Sequence, residues 1–226
     1  MKKIIVIAIC LMVCLTSVAI AQTEGEILFR GVSWELRGAD YIDQLCSSVG
    51  VPSPSPMLPV RKVEYCHLPV QNGSLHTTMN NEFSSYMCSI PMQGKELEVA
   101  GHKVSNWYGF AIPEIVDNTV YDDLSMIRFV TWEYIFWRIG EEASLLMADL
   151  KDKLNAIYGE CDSIPADADI VSEACVWYGA DDTCAVLYKA KNAGGIYLVY
   201  TRTNMEDVIS KLGELESGIP DRKSVV

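Results

Sequence analysis

Residues 126–138 constrain the fold most strongly, because this stretch has no polar face. One parity carries Ile127, Phe129, Ile135 and Trp137, and the other carries Val130, Trp132, Tyr134 and Phe136. Aromatic and β-branched side chains on both faces are typical of a strand at the centre of a sheet. We therefore expect a central strand that is covered by a helix on one side and by a loop or second layer on the other.

Helices are predicted before and after this strand. The first can be capped by Asp40 and ends at Gly50, where a left-handed residue is favoured. The second starts near Glu141, repeats apolar residues at three- and four-residue steps as far as Ile157, and ends at Gly159. A last helix is predicted to begin at Asn204.

Strand patterns fill most of the remaining chain. Residues 26–34 alternate like a strand, and residues 97–112 predict a hairpin that turns at Gly101. Residues 60–95 predict only short strands and loops. Three further strands, separated by turn sequences, predict an antiparallel meander over residues 174–201. This order predicts an α+β fold, an antiparallel sheet with two or three helices packed mainly on one side.

Short signatures give the chain a family resemblance. These signatures are the opening Phe29-Arg30-Gly31-Val32-Ser33-Trp34, the Leu150 to Gly159 helix end, the Trp177-Tyr178-Gly179 strand and the Ile196 to Tyr200 strand. Together they resemble small secreted bacterial proteins of uncharacterised function. The chain departs from that pattern at Glu35, where a glycine is usual. It is also similar to the helix-plus-three-strand modules of β-lactamase inhibitory proteins and outer-membrane assembly lipoproteins. The likeness to these two kinds of module implies a binding role, and neither of them transfers a functional residue.

The N-terminus indicates export. Lys2 and Lys3 precede an apolar run, and small residues up to Ala21 suit cleavage before Gln22. An uncleaved membrane anchor is the alternative, but no cationic flank follows the run. We expect a cleaved signal peptide and a secreted or extracytoplasmic protein without stable membrane insertion.

The rest of the chain is expected to form one unit. Residues 1–21 are the predicted signal peptide, residues 22–217 a single α+β domain, and residues 218–226 a flexible tail. Two pseudo-halves, 22–138 and 139–217, are an alternative description of the domain. The oligomeric state stays open.

The charge balance argues against nucleic acid as a partner. The chain holds 18 basic and 30 acidic residues, a net charge of −12, and loss of Lys2 and Lys3 takes it to −14. Nucleic acids and anionic membrane surfaces bind through basic patches, which are short here. A protein or a glycan is the partner that we expect.

Six cysteines follow the signal peptide, and export permits disulfides. They fall into two groups of three: Cys46, Cys66 and Cys88, then Cys161, Cys175 and Cys184. If each half forms one local bridge, the two odd cysteines either pair across the halves or stay free. The sequence leaves all 15 connectivities open.

Catalytic patterns are weak. The histidines are His67, His76 and His102, and His67 follows Cys66, which would allow a thiolate–imidazole pair or a zinc site. Adjacent side chains on a strand point to opposite faces, however, and no Cys-x-x-Cys pair is present. We expect His76 and His102 to lie in loops.

Acidic pairs could in principle bind calcium or act as a glycosidase pair: Asp122 with Asp123, Asp167 with Asp169, and Asp181 with Asp182. Solvated loop positions are the expected alternative, and Asp181-Asp182 suits a turn. We assign no catalytic, cofactor-binding or metal-binding residue and no cofactor.

Aromatic residues offer a different route to function. Those on predicted strands would form a binding patch wherever they face solvent together: Trp107, Tyr108, Trp132, Tyr134, Trp137, Trp177 and Tyr178. We expect a non-enzymatic binding or envelope-associated module, with a secreted hydrolase of unfamiliar type as the alternative.

Overall fold

A computed structural model describes residues 25–54, 59–71, 74–76, 79–121, 123–165, 169–191, 194–203 and 205–217. The predicted signal peptide at 1–21 and the predicted tail at 218–226 lie outside these ranges. None of the helices within the ranges combines the length and the apolar character that crossing a membrane requires.

The predicted α+β fold is confirmed. The described residues contain three helices, α1 (Gly38–Val49), α2 (Gly140–Tyr158) and α3 (Glu206–Ser217). The first-half strands are β1 (Val60–Cys66), β2 (Val70–Gln71), β3 (Ser74–Leu75), β4 (Met79–Cys88), β5 (Glu98–Val99), β6 (His102–Lys103), β7 (Asn106–Ile112), β8 (Glu114–Val116), β9 (Thr119–Tyr121) and β10 (Arg128–Trp137). The second-half strands are β11 (Asp162–Ser163), β12 (Val171–Tyr178), β13 (Thr183–Ala190) and β14 (Gly195–Arg202).

Eight of these strands form one antiparallel sheet in the order β1-β4-β7-β10-β14-β13-β12-β11. Each half of the chain therefore supplies four strands of this sheet, preceded by one helix, α1 or α2, and the last strands of the two halves, β10 and β14, pair at the centre. The predicted meander is β12-β13-β14. This arrangement makes β10 the central strand, as residues 126–138 predict.

Helices α1 and α2 cover the first face of the sheet, and their buried side chains belong to one core cluster. Phe29 lies in the middle of that cluster. Its ring centroid is 5.0 Å from that of Trp132, with nearly parallel planes, and 5.0 Å from that of Tyr134. Such pairs contribute about 0.5–1.5 kcal/mol each beyond the area that they bury.

The second face of the sheet is covered by chain rather than by paired helices. Residues 67–71 and 74–76, between β1 and β4, cross this face, where Val70 and Leu75 pack with Val186 and Val199. Helix α3 covers another part of it through Leu212. Strand β10 is consequently buried on both faces along most of its length, which confirms the covering predicted for it.

A β-bulge makes the alternation of faces predicted for residues 126–138 wrong at one point. The register of β10 against β7 shifts between Phe129 and Thr131. Because the extra residue reverses the alternation, Phe129 faces the same core cluster as Trp132, whereas Val130 faces the opposite side. Trp132 and Trp137 still lie on opposite faces, as predicted.

The prediction of a strand at residues 26–34 is wrong. Arg30 and Gly31 have φ values of 52° and 73°, so the chain turns there. Glu26 forms only an isolated bridge with Ala180. The apolar residues that suggested a strand are nevertheless buried, because the turn folds them onto the first face.

Two other local predictions need correction. The hairpin predicted for residues 97–112 is limited to β5 and β6, while β7 pairs with β4 and β10. Residues 60–95 contain a ten-residue strand, β4, because neighbours on both sides complete its hydrogen bonds. Gly50 and Gly159 follow α1 and α2, as predicted.

The last turn of α2 also departs from the predicted apolar stripe. Ile157 is 60% exposed. The neighbouring Tyr158 packs towards the sheet instead, with its ring centroid 6.4 Å from that of Trp177.

We expect Gly109→Ala to destabilise the protein, because a Cβ there would lie 2.5 Å from ring carbons of Trp132. Overpacking of this kind costs about 1–3 kcal/mol of unfolding free energy, which urea denaturation measures. Gly213→Ala is the matched control, since its Cβ meets no atom within 4 Å. Equal effects of the two substitutions would contradict the close approach of β7 to the indole.

Candidate functional site

A cavity of about 510 Å³ opens on the second face of the sheet. Its aromatic wall consists of Tyr65, Tyr108, Phe110, Tyr188 and Tyr197. Small-molecule sites are typically clefts of roughly 300–1,000 Å³ that combine such walls with a few polar groups. We call this the tyrosine cavity.

Strand register explains why these tyrosines converge. Tyr108 of β7 lies opposite Glu133 of β10, and Tyr188 of β13 lies opposite Tyr197 of β14. All of them point to the second face, because directly opposed residues share a face. Tyr65 comes from β1 beyond a shift in the register against β4, which brings it over Phe110, 5.8 Å between ring centroids.

Three further polar side chains also line the cavity: Arg61, His67 and Glu133. Glu133 lies in the central strand, and His67 lies in the segment that crosses the second face after β1. The Nδ1 atom of His67 is 2.6 Å from Oε2 of Glu133, and each side chain is only 8% exposed. The cavity floor is therefore a buried histidine–carboxylate pair.

The other ring nitrogen of His67 has no partner. Four buried side-chain nitrogen or oxygen atoms in the described residues lack a hydrogen bond, and Nε2 of His67 is the one that belongs to a cavity-lining residue. An unsatisfied buried polar atom costs about 1–3 kcal/mol. A hydrogen-bond partner for Nε2 would remove that cost.

Nearby phenols stay protonated. Burial raises the pKa of Tyr188 well above its usual value, and the Glu133 carboxylate raises it further. Burial and then Glu133 also raise the pKa of Tyr197. These residues consequently present neutral hydroxyl groups and apolar ring faces to the cavity.

An aromatic strip leads from the cavity towards solvent. The rings of Tyr188 and Tyr197 stack with centroids 4.8 Å apart and an angle of 2° between their planes. Trp137 meets Tyr197 edge-on at 6.3 Å and is 44% exposed. The strip allows an extended ligand to continue beyond the cavity.

Of the aromatics singled out in the sequence, only some face the solvent side. Trp107, Trp132, Tyr134 and Trp177 are buried in the first-face core. Tyr108 lines the cavity, and Trp137 and Tyr178 are exposed.

The hypothesised Cys66–His67 nucleophile is not assembled. Cys66 is fully buried among apolar residues and does not line the cavity. Burial, and secondarily Glu133, raise the pKa of the Cys66 thiol, which disfavours the thiolate. His67 contacts Glu133 instead.

The other two histidines have different surroundings. His76 follows β3 in a loop, as predicted, and is exposed. His102 lies in the short strand β6 rather than in a loop, and its Nε2 is 2.5 Å from Oδ2 of Asp149. That pair is partly exposed and lines no described cavity.

The acidic pairs do not converge into a site. Asp122 and Asp167 lie outside the described residues. Asp123 accepts hydrogen bonds from the backbone and side chain of Ser125, which lower its pKa. Asp181 and Asp182 form the turn that the sequence favours, with φ values of 53° and 57°. Across the described ranges, no group of three or more histidine, cysteine or acidic residues is arranged to hold a metal ion.

A second cavity, of about 380 Å³, lies beside α3. Two of the three cations that line it already have partners: Arg128 makes two hydrogen bonds to Glu114, and Arg202 contacts Glu35. It contains no unpartnered buried atom of the kind found at His67. The tyrosine cavity is therefore the better candidate.

Sequence reasoning missed Glu133, Tyr65, Tyr188 and Tyr197. A signal for Glu133 exists, because it is the one carboxylate in residues 126–138, a mainly apolar stretch for which the sequence predicts two buried faces. Such a residue needs a partner. The tyrosines carry no comparable signal, since only the pairing of distant strands brings them together.

No protein-family model, curated protein or solved structure matches the chain.

We expect His67→Phe to lower the free energy of unfolding by about 3–5 kcal/mol, because it leaves the Glu133 carboxylate buried without a partner. The double variant His67→Phe/Glu133→Leu removes the charge as well and should recover most of that loss. Urea denaturation of both variants measures the coupling.

His102→Phe is the control, because it breaks a histidine–carboxylate pair that is partly exposed. It should change stability much less than His67→Phe. Equal losses, or no recovery in the double variant, would contradict a buried ion pair at the cavity floor.

Proposed function

We propose that this protein is an exported, non-enzymatic binding module whose tyrosine cavity holds a short length of a glycan. The observation that carries the proposal is the buried, unpartnered Nε2 atom of His67 beside an aromatic cavity. Export itself rests on the predicted signal peptide.

The hydrogen-bonding chemistry of His67 favours a hydroxyl group on the ligand. When Nδ1 donates its proton to Glu133, Nε2 of the neutral ring is an acceptor, and Nε2 of the protonated ring is a donor. A hydroxyl group serves either form, because it both donates and accepts. Sugars supply several hydroxyl groups on one rigid ring.

The walls fit the same ligand. A sugar ring has apolar C–H faces that pack on aromatic rings, and Tyr108 and Tyr197 are partly exposed at the cavity. Arg61, exposed at the cavity rim, supplies a further donor for hydroxyl or acetamido oxygens. The outer residue of the strip, Trp137, would extend the platform to a second sugar.

A secreted hydrolase is the second candidate, because the pair formed by His67 and Glu133 could also serve in catalysis. A histidine oriented by a carboxylate is the arrangement of a general base, and Nε2 could accept a proton from water. Glycoside hydrolysis normally needs two carboxyl groups, whereas Glu133 is the one carboxylate among the residues described at the cavity. Binding without turnover is therefore the first proposal.

Calorimetric titration with chitotetraose and cellotetraose tests the proposal. We expect at least one of them to bind, and Tyr197→Ala to weaken that binding roughly 5- to 30-fold through loss of an aromatic platform. Tyr121→Ala, which removes an exposed aromatic outside the cavity, should leave the affinity unchanged.

Two results would contradict this function. Absence of binding to both sugars would reject the glycan, and equal weakening by the two alanine variants would place binding elsewhere. New reducing ends after prolonged incubation would favour the hydrolase.

A further inference from the structure

Two cysteines approach each other at the edge of the sheet. Strand β11 pairs with β12 so that Asp162 is opposite Val176 and Ser163 is opposite Cys175. Extending this register by one residue places Cys161 opposite Trp177. Cys161 and Cys175 are then diagonal neighbours on the same face of the ladder. Cys161 lies just beyond the paired residues, and its thiol is close enough to that of Cys175 to form a hydrogen bond with it.

Packing keeps the two cysteines on that face. Cys175 is buried in the first-face core, and Cys161 packs against the same core. The Nε1 group of Trp177 donates hydrogen bonds to Asn155 Oδ1 at 3.0 Å and to the Gly159 carbonyl at 2.9 Å. These bonds hold the end of α2, and with it the chain just before Cys161, against β12.

The two thiols differ in access. Cys175 is 2% exposed, whereas Cys161 is partly exposed and lies just outside the paired residues of β11. Burial and a hydrogen bond with the Cys161 thiol raise the pKa of Cys175. Cys161 is therefore the thiol that meets a reagent from solution first, and Cys175 is the one positioned to react with it afterwards.

We propose that Cys161 and Cys175 form a disulfide when the exported protein meets a small-molecule disulfide oxidant such as oxidised glutathione. The Cys161 thiolate attacks one sulfur of the oxidant, forms a mixed disulfide and releases one glutathione thiolate. Cys175 then loses its proton, its sulfur attacks the Cys161 sulfur, and the second glutathione thiolate leaves. The protein loses two protons and two electrons, the oxidant gains the two electrons, and the two released glutathione thiolates take up the two protons from water.

The other cysteines do not compete for this pairing. Cys46 and Cys88 are buried elsewhere in the first-face core, where burial and then Cys46 raise the pKa of Cys88. Cys66 and Cys184 lie in the two clusters on the second face. All six are free thiols in this structure. The proposal is independent of the glycan site and rests on the predicted export.

Peptide mapping tests the pairing. The purified full chain is oxidised with glutathione disulfide, its remaining thiols are alkylated under denaturing conditions, and the digest is analysed by mass spectrometry. We expect a linked peptide pair that contains Cys161 and Cys175 and lacks two hydrogen atoms. Alkylation of both residues after oxidation, or linkage of Cys161 to another cysteine, would overturn the proposal.

Thermal melting with and without reductant gives a second readout. Reduction should lower the melting temperature of the oxidised protein by roughly 6–12 °C. In Cys161→Ala, reductant should lower the melting temperature by roughly 6–12 °C less than it does in the unmodified chain. Any loss of packing caused by the substitution is present with and without reductant, so it does not affect this comparison. An equal effect of reductant on Cys161→Ala and on the unmodified chain would contradict the bridge.

Discussion

The buried carboxylate of Glu133 needs a charged or hydrogen-bonding partner, and this need determines where the segment that carries His67 lies. Glu133 lies in the central strand, between Tyr108 of β7 and Val199 of β14, where the sheet is covered on both faces. A charged group in such a place destabilises the fold unless it is paired. His67 provides the pair at 2.6 Å, so the segment that carries it across the second face is tied to the centre of the sheet.

The two faces of the sheet are completed in different ways, and this difference creates the site. Each half of the chain contributes one helix to the first face, and Phe29 fills the space between them and the sheet with stacked aromatic rings. The second face receives α3 and the crossing segment after β1. The tyrosine cavity opens in the part of this face that they leave uncovered, and it is lined by His67 of the crossing segment and by Glu133 of β10.

Periodicity in the sequence predicts the main elements well. The central strand, the meander and the glycine-terminated helices follow from local patterns of apolar residues and from residues suited to helix ends. Local deviations were not predictable in the same way. The turn at Arg30 and Gly31 and the bulge between Phe129 and Thr131 change the direction of side chains without interrupting an apolar pattern.

The candidate site depends on contacts between residues far apart in the chain. The sequence drew attention to His67 through its neighbour Cys66, but the structure pairs His67 with Glu133. Alternation predicts that a side chain lies on one face or the other, and it carries no information about which strands are neighbours. Tyr188 and Tyr197 therefore enter the site only once β13 and β14 are paired with each other and β14 with β10.

Nitrogen-15 NMR of the histidine rings tests the central claim most directly, and the chain has only three histidines to assign. In the free protein, Nδ1 of His67 should carry a proton that is hydrogen-bonded to Glu133. Addition of whichever tetrasaccharide binds, chitotetraose or cellotetraose, should shift the Nε2 resonance of His67 and leave those of His76 and His102 unchanged. An unperturbed His67 resonance in the saturated complex would contradict the assignment of the tyrosine cavity as the binding site.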